Sequence, residues 1–347
     1  ALHYGIDRVF ETPQTVLYYN MGAGSVQVSI VTYSSYMAKE AGKNKTIGQF
    51  EVVGKAWDTS LGGFNFDLRL TDLLATRFNE IWSKKASGKG KDLRDFVRPM
   101  TRLRLEANKV KEVLSANAEY PIRAEQLHAD VDLVTKVTRN DFEEACKDLF
   151  ARLTEPIDAA LKMANMSLAD IQVVELLGGS VRMPKVKKVL DEYFSSVKLT
   201  SGQHINGDEA MALGAAFRAA NLSTAFRVRK VGMADSSAFG VAVRLESLPP
   251  PSDDQKSTGG IFSGLFGSNK KVEVKSEETE DESQPSVWSK FTNLYSKKSP
   301  LGSKTKTVAF QHDEDIACQL EYYPDDLPEG THPIIGRYHI TGISKFA

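Results

Sequence analysis

Four small groups of residues carry the chemistry open to this 347-residue chain. Residues 16–27 (VLYYNMGAGSVQ) run a strand into Gly22, Ala23, Gly24 and Ser25 and out into another strand. Glycines there admit positive φ and let backbone N–H groups converge on phosphate oxygens without a Cβ in the way. A second group, Gly178, Gly179 and Ser180 with Arg182, lies between an apolar run and a helix opened by Pro184, a setting that suits an anion. Lys111 and Ser115 are four apart and share one helix face, so a cation and a hydroxyl there could hold a sugar and base. Asp208 opens an alanine-rich helix. Each group has a plainer reading: a hairpin turn, tight strand–helix packing, a solvated basic face, an acid at a helix N-terminus.

Asn20 stands just before the first glycines, where a phosphate loop usually has an acid. Asparagine accepts a hydrogen bond but cannot take a proton or help neutralise a metal ion. Binding should therefore survive better than hydrolysis. No catalytic residue is assigned, and the metal ligands are left open.

The elements that must position these residues follow from periodicity. Val26, Val28 and Ile30 alternate with polar residues, which makes the first loop a strand–turn–strand hairpin, unlike a P-loop. Another strand is expected over 47–58. LGGFNF then leads into a helix with Phe66, Leu70, Leu73, Leu74, Phe78 and Ile81 on one face. A basic amphipathic helix is expected over 100–116, and a helix over 141–164 that Pro156 kinks or restarts. Ser167 and Asp170 fit a capped turn. VVELL reads as a buried strand, followed by a helix packing Val186, Val189, Leu190 and Phe194, and a last helix covers 208–221. Strands alternating with helices imply a layered α/β domain over 1–226.

Composition changes near residue 227. Strands are expected over 238–246, 305–311, 316–323 and 334–343, a β-rich region over 227–347. The polar, acidic insert 249–303, which holds EETEDES, lacks the apolar content to fold alone. The formal net charge of -1 gives no basic excess to recommend a nucleic acid. Cys146 and Cys318 have no metal-ligand spacing. No apolar run is long enough to span a membrane. The chain starts at Ala1 and runs strand-like residues to Ala347, so both ends read as cut.

The order of these features resembles the nucleotide-binding domain of the seventy-kilodalton heat-shock chaperone superfamily, within the actin-like ATPase (ribonuclease-H-like) fold. ALHYGID, LGGFNFDLRL, LSANAEYPIRAEQL, TRNDFEEACKDLF, LLGGSVRMPKV and INGDEAMALGAA fall in that family's order, covering residues 1 to about 246. LSANA, the acidic insert and the DEAMALGAAFRAANLS stretch followed by AFRVR look most like its large lumenal, hypoxia up-regulated branch. The resemblance implies ATP or ADP with Mg2+ as cofactor. Gly22, Gly24 and Ser25 would contact phosphates, and Lys111, Ser115, Gly178, Gly179, Ser180, Arg182 and Asp208 would line the nucleoside pocket. It further implies unfolded polypeptide clients, nucleotide exchange on a smaller chaperone, and an endoplasmic reticulum lumen location. Neither nucleic acid nor membrane insertion is expected.

Three departures from the family pattern stand out: Asn20 for an acid, Glu112 for an arginine against the adenine, and Asn108 for another acidic position. The family's first phosphate loop would precede residue 1. A metabolite kinase of the same fold is the alternative enzyme class, and a truncated product without nucleotide function is a third reading. Asn44, Asn165 and Asn221 begin N-x-Ser/Thr triplets compatible with a lumenal protein.

Overall fold

Val16, Leu17, Tyr18 and Tyr19 are all buried, so strand β1 (Gln14–Met21) needs a packed layer on each face. A computed structural model supplies both layers. It describes residues 1–6, 8, 10–40, 43–202, 204–225, 228–248, 288–296, 299, 301, 306–323, 327 and 331–343. The chain divides into two units, Ala1–Asp235 and Ser236–Ala347.

In the first unit, β1 pairs antiparallel with β2 (Val26–Glu40), which pairs with β3 (Lys43–Asp58). β4 (Glu119–His128) and β5 (Val131–Thr138) form a separate hairpin. β6 (Val173–Leu177) lies parallel to the other edge of β1, followed by the two-residue β7 (Ser201–Gly202). β8 (Gly232–Ala234) closes the far side on β3, giving the order β7-β6-β1-β2-β3-β8. That last strand carries the unit past residue 226, where the composition alone places the boundary.

The helices are α1 (Leu2–Gly5), α2 (Gly63–Trp82), α3 (Val97–Leu114), α4 (Arg139–Ala145), α5 (Lys147–Ala151), α6 (Glu155–Ala164), α7 (Pro184–Ser195) and α8 (Ala210–Leu222). On one face of the sheet Leu17, Tyr19, Met21, Val28 and Ile30 pack into a cluster with Phe66 and Leu70 of α2, Leu103 of α3, Ile157 of α6 and Leu190 of α7. On the other, Val16, Tyr18, Val31 and Tyr33 meet Leu2, Tyr4, Phe10 and Ala210. The period-two alternation along β1 thus feeds two cores.

Several elements differ from expectation. The helix expected over 141–164 is three pieces, and Pro156 sits in the first turn of α6, where its missing N–H costs nothing. α8 begins at Ala210, because residues 207–209 form a turn ahead of it. β2 runs to Glu40, well beyond Ile30.

The second unit holds an antiparallel sheet of β9 (Val241–Ser247), β10 (Ser289–Tyr295), β11 (Ile316–Tyr322) and β12 (Ile334–Ile340), in the order β10-β9-β11-β12. β10 lies inside 249–303, the insert expected to be largely unstructured. Trp288 and Leu294 pack on the Val243–Leu245–Ile316 core, an apolar content that the acidic run before them lacks. EETEDES itself lies outside the described residues. Residues 306–311, expected as a strand, have no strand pairing.

Both cysteines are free, Cys146 buried and Cys318 half-buried. Among the described residues no helix is long and apolar enough to cross a membrane.

Candidate functional site

The parallel register of β1 and β6 sets Asn20 opposite Leu177. Both glycine loops therefore leave the same end of the sheet from adjacent strands, the position where open α/β sheets bind ligands. The Gly22 N–H donates to the Ser25 carbonyl at 3.1 Å and closes the hairpin turn. The start of α2 docks on that turn: Gly63 N–H donates to Gly22 O at 2.9 Å and Phe64 N–H to Ala23 O at 2.8 Å. Ser180 Oγ donates to Gly22 O at 3.0 Å, which ties in the second loop.

The glycines sort into two classes. A Cβ at Gly62 would lie 2.4 Å from Ala23 O, and one at Gly63 would lie 2.5 Å from Ser180 Oγ. Gly178, at φ +83, would put a Cβ 2.3 Å from Met21 O. Packing and backbone conformation explain these three. By contrast, a Cβ at Gly22, Gly24 or Gly179 meets no protein atom within 4 Å, and none of the three has positive φ. Nothing within the described chain requires glycine there. A bare backbone at those points lets a ligand come close to both loops, although the Gly22 N–H itself is spent on the Ser25 carbonyl.

Lys111 is no solvated surface cation. Its Nζ donates to Gly63 O at 3.1 Å and lies 2.8 Å from the Asp67 carboxylate, with the two side chains 14% and 8% exposed. Asn108 Nδ2 donates to the same carboxylate at 3.3 Å. Ser115 Oγ donates to Lys111 O at 3.2 Å, so its proton is used within its own helix while its lone pairs stay available. Arg139 caps this end of α3, with Nε on Leu114 O and Nη2 on Asn117 O, both at 2.9 Å. Glu112 is exposed.

Arg182 and Asp208 meet as an exposed ion pair at 2.5 Å. Asp208 lies in the turn before α8, its N–H donating to Asn206 Oδ1 at 3.0 Å. That turn packs on the second loop: a Cβ at Gly207 would lie 3.6 Å from Gly178 N. Asn20 is half-buried beneath the same loop, its Oδ1 2.8 Å from where a Gly178 Cβ would sit.

The structure thus brings Gly22, Gly24, Ser25, Lys111, Gly178, Gly179, Ser180, Arg182 and Asp208 into one region laced by hydrogen bonds, with Ser115 one helical turn beyond Lys111. Gly62, Gly63 and Asp67 were missed as site residues by the sequence reading. LGGFNFDLRL was visible, but the closeness of Gly62 to the loop backbone has no one-dimensional signal.

The residues described here do not fit a metal ion held by the protein. Asp67 is paired with Lys111, Asp208 with Arg182 and Asp58 with Arg152, and Asn20 is neutral. Burial pushes the Asp58 carboxyl up, yet hydrogen bonds from Ser60 and Arg152 outweigh it and hold it below the usual range. No cluster of three or more His, Cys, Asp or Glu occurs among the described residues.

The family described as "Hsp70 protein" matches residues 1–257. Heat shock 70 kDa protein 17 of Arabidopsis thaliana is 35% identical over 99% of this chain and 35% of its own length. Hypoxia up-regulated protein 1 of Danio rerio is 42% identical over 74% of this chain and 26% of its own length. The Homo sapiens protein of that name is 42% identical over 70% and 24%. The chain therefore spans about a quarter to a third of the length of these relatives.

Proposed function

The chain belongs to the Hsp70 protein family, with an α/β unit of the actin-like ATPase fold followed by a β-rich region, and from that premise we propose that its first unit binds ATP and ADP for a chaperone of the large heat-shock type. Phosphates lie against Gly22, Gly24, Ser25 and Gly179, while Lys111, Ser115, Arg182 and Asp208 face the nucleoside. One observation carries the reading: the three glycines without a packing or conformational reason, Gly22, Gly24 and Gly179, lie on the two loops that Ser180 joins.

Magnesium enters only as the counter-ion of the phosphates, since the carboxylates near the loops are already paired. Asn20 offers no proton acceptor, so the nucleotide acts chiefly as a conformational ligand and is hydrolysed slowly. The whole protein holds unfolded polypeptides and promotes nucleotide exchange on a smaller chaperone, in the endoplasmic reticulum lumen. Support for the compartment is the resemblance to the hypoxia up-regulated branch, together with exposed triplet asparagines at Asn44 and Asn165. Family membership sets the metabolite kinase aside.

The test is calorimetric titration of ADP into the wild type and Gly24→Val. Binding by the wild type, weakened tenfold or more in the variant, is the expected result. A wild type that binds no nucleotide, or a variant that binds equally well, overturns the reading.

A further inference from the structure

Glu175 is wholly buried in the middle of β6, three residues ahead of Gly178. A buried carboxylate needs its oxygens hydrogen-bonded. One residue serves both: the His204 backbone N–H donates to Oε2 at 3.0 Å, and His204 Nδ1 bonds Oε1. Gly202 makes the room, because a Cβ there would lie 2.3 Å from His204 Cε1. β7 pairs with β6 only at Val174↔Ser201 and Glu175↔Gly202. The carboxylate therefore extends that short ladder by one more attachment, just before the chain turns at Asn206, Gly207 and Asp208.

Stability gives no reason for an acid at this position. In the sheet it lies between Tyr18 of β1 and Gly202 of β7. An apolar side chain there removes a wholly buried carboxylate and leaves without its partner only the His204 ring, 57% exposed and open to water. The other tether on the turn, Arg182–Asp208, is more than half exposed and contributes little. Beside Ile205, which packs on the second core cluster, the attachment anchored in the interior is the Glu175 carboxylate, which holds His204 by its backbone N–H and its exposed ring.

We propose that Glu175 is a positioning residue for the nucleotide site. Acting through His204, it holds residues 204–208 against the second glycine loop and sets where Asp208 and Arg182 meet the nucleoside. The inference rests on the nucleotide reading above.

The experiment measures ADP affinity and urea stability for the full chain, with Glu175→Val, Glu175→Gln, His204→Ala and Asp208→Ala, and the Glu175→Val/Asp208→Ala double variant. Glu175→Val should fold with undiminished stability yet bind ADP about tenfold more weakly, a loss on the scale of one hydrogen-bonded charge. Glu175→Gln keeps an acceptor for the His204 N–H and should lose less. Asp208→Ala should weaken binding alone but add almost nothing to Glu175→Val, because an acid no longer held in place has nothing left to lose. Wild-type affinity in Glu175→Val, or losses that simply add, overturns the proposal. Should Glu175→Val not fold, His204→Ala with Asp208→Ala runs the same cycle, with the same two outcomes deciding. A wild type that binds no ADP points instead to failure of the nucleotide reading itself.

Discussion

Lys111 and Asp67 meet as a buried ion pair directly behind Gly63, Nζ to carboxylate 2.8 Å. The lysine thereby joins α3 to the start of α2, the helix whose first N–H groups rest on the β1 turn. Lys111→Met leaves the Asp67 charge with Asn108 as its remaining partner. Breaking a buried pair from one side should cost about 3 kcal/mol in urea unfolding, whereas Lys111→Met with Asp67→Leu should recover most of that. Equal losses in the single and double variants would show that the pair does not hold these helices.

Gly62→Ala and Gly24→Ala should separate packing from ligand contact. At Gly62 the new methyl meets Ala23 O and Ser25 N, both backbone atoms that cannot swing aside. That variant should lose about 1–3 kcal/mol of stability. Gly24→Ala meets no protein atom and should unfold within about 0.5 kcal/mol of wild type, while binding ADP more weakly. Chemical denaturation and calorimetry on the same samples check both statements.

Asn20→Asp places a carboxylate under the second glycine loop. In the full-length protein, single-turnover ATP hydrolysis should rise far more than ATP affinity, because the backbone amides hold phosphate in both variants. A gain of about a hundredfold would match direct proton transfer to the new acid. Unchanged turnover would remove Asn20 as the reason for slow chemistry.

Asp141 provides a pH signature. Its carboxylate accepts from the Thr138 N–H at 2.9 Å and pairs with Arg77 at 3.0 Å, and these contacts, the backbone hydrogen bond foremost, hold its pKa below the ordinary value. A depressed folded pKa gives stability that is present above the unfolded value, near 4, and lost as pH falls through the folded one. Asp141→Asn should therefore be less stable than wild type at pH 7, and the gap should close at pH 2–3. A gap that persists undiminished in acid would assign the loss to geometry instead of charge.

The alternating residues Val26, Val28 and Ile30 of β2 and the apolar faces of α2 and α7 make the α/β order legible, because burial imposes the same periods in sequence and in space. Less legible were the distal parts of β2 and β3. The alternation ends at Ile30 and the next expected strand starts at residue 47; the serines and lysines of 33–40 and 43–46 carry no strand pattern, but the long antiparallel ladder that pairs Tyr33 with Phe50 and Met37 with Thr46 makes them strand. Within the site, the loop glycines could be read directly. Asp67 could not, since on α2 alone it is one of three acids with Asp72 and Glu80; only the approach of Lys111 from α3 gives it a role.

The parallel pairing of β1 with β6 acts as a ruler. Adjacent strands stand about 4.8 Å apart, a spacing set by backbone hydrogen bonds and not by any side chain. Substitutions can change what the two glycine loops offer a ligand, but the gap between the strand ends that carry them is written into the sheet. Variation in this family can therefore rework the lining of the site while the gauge to which a ligand must fit stays constant.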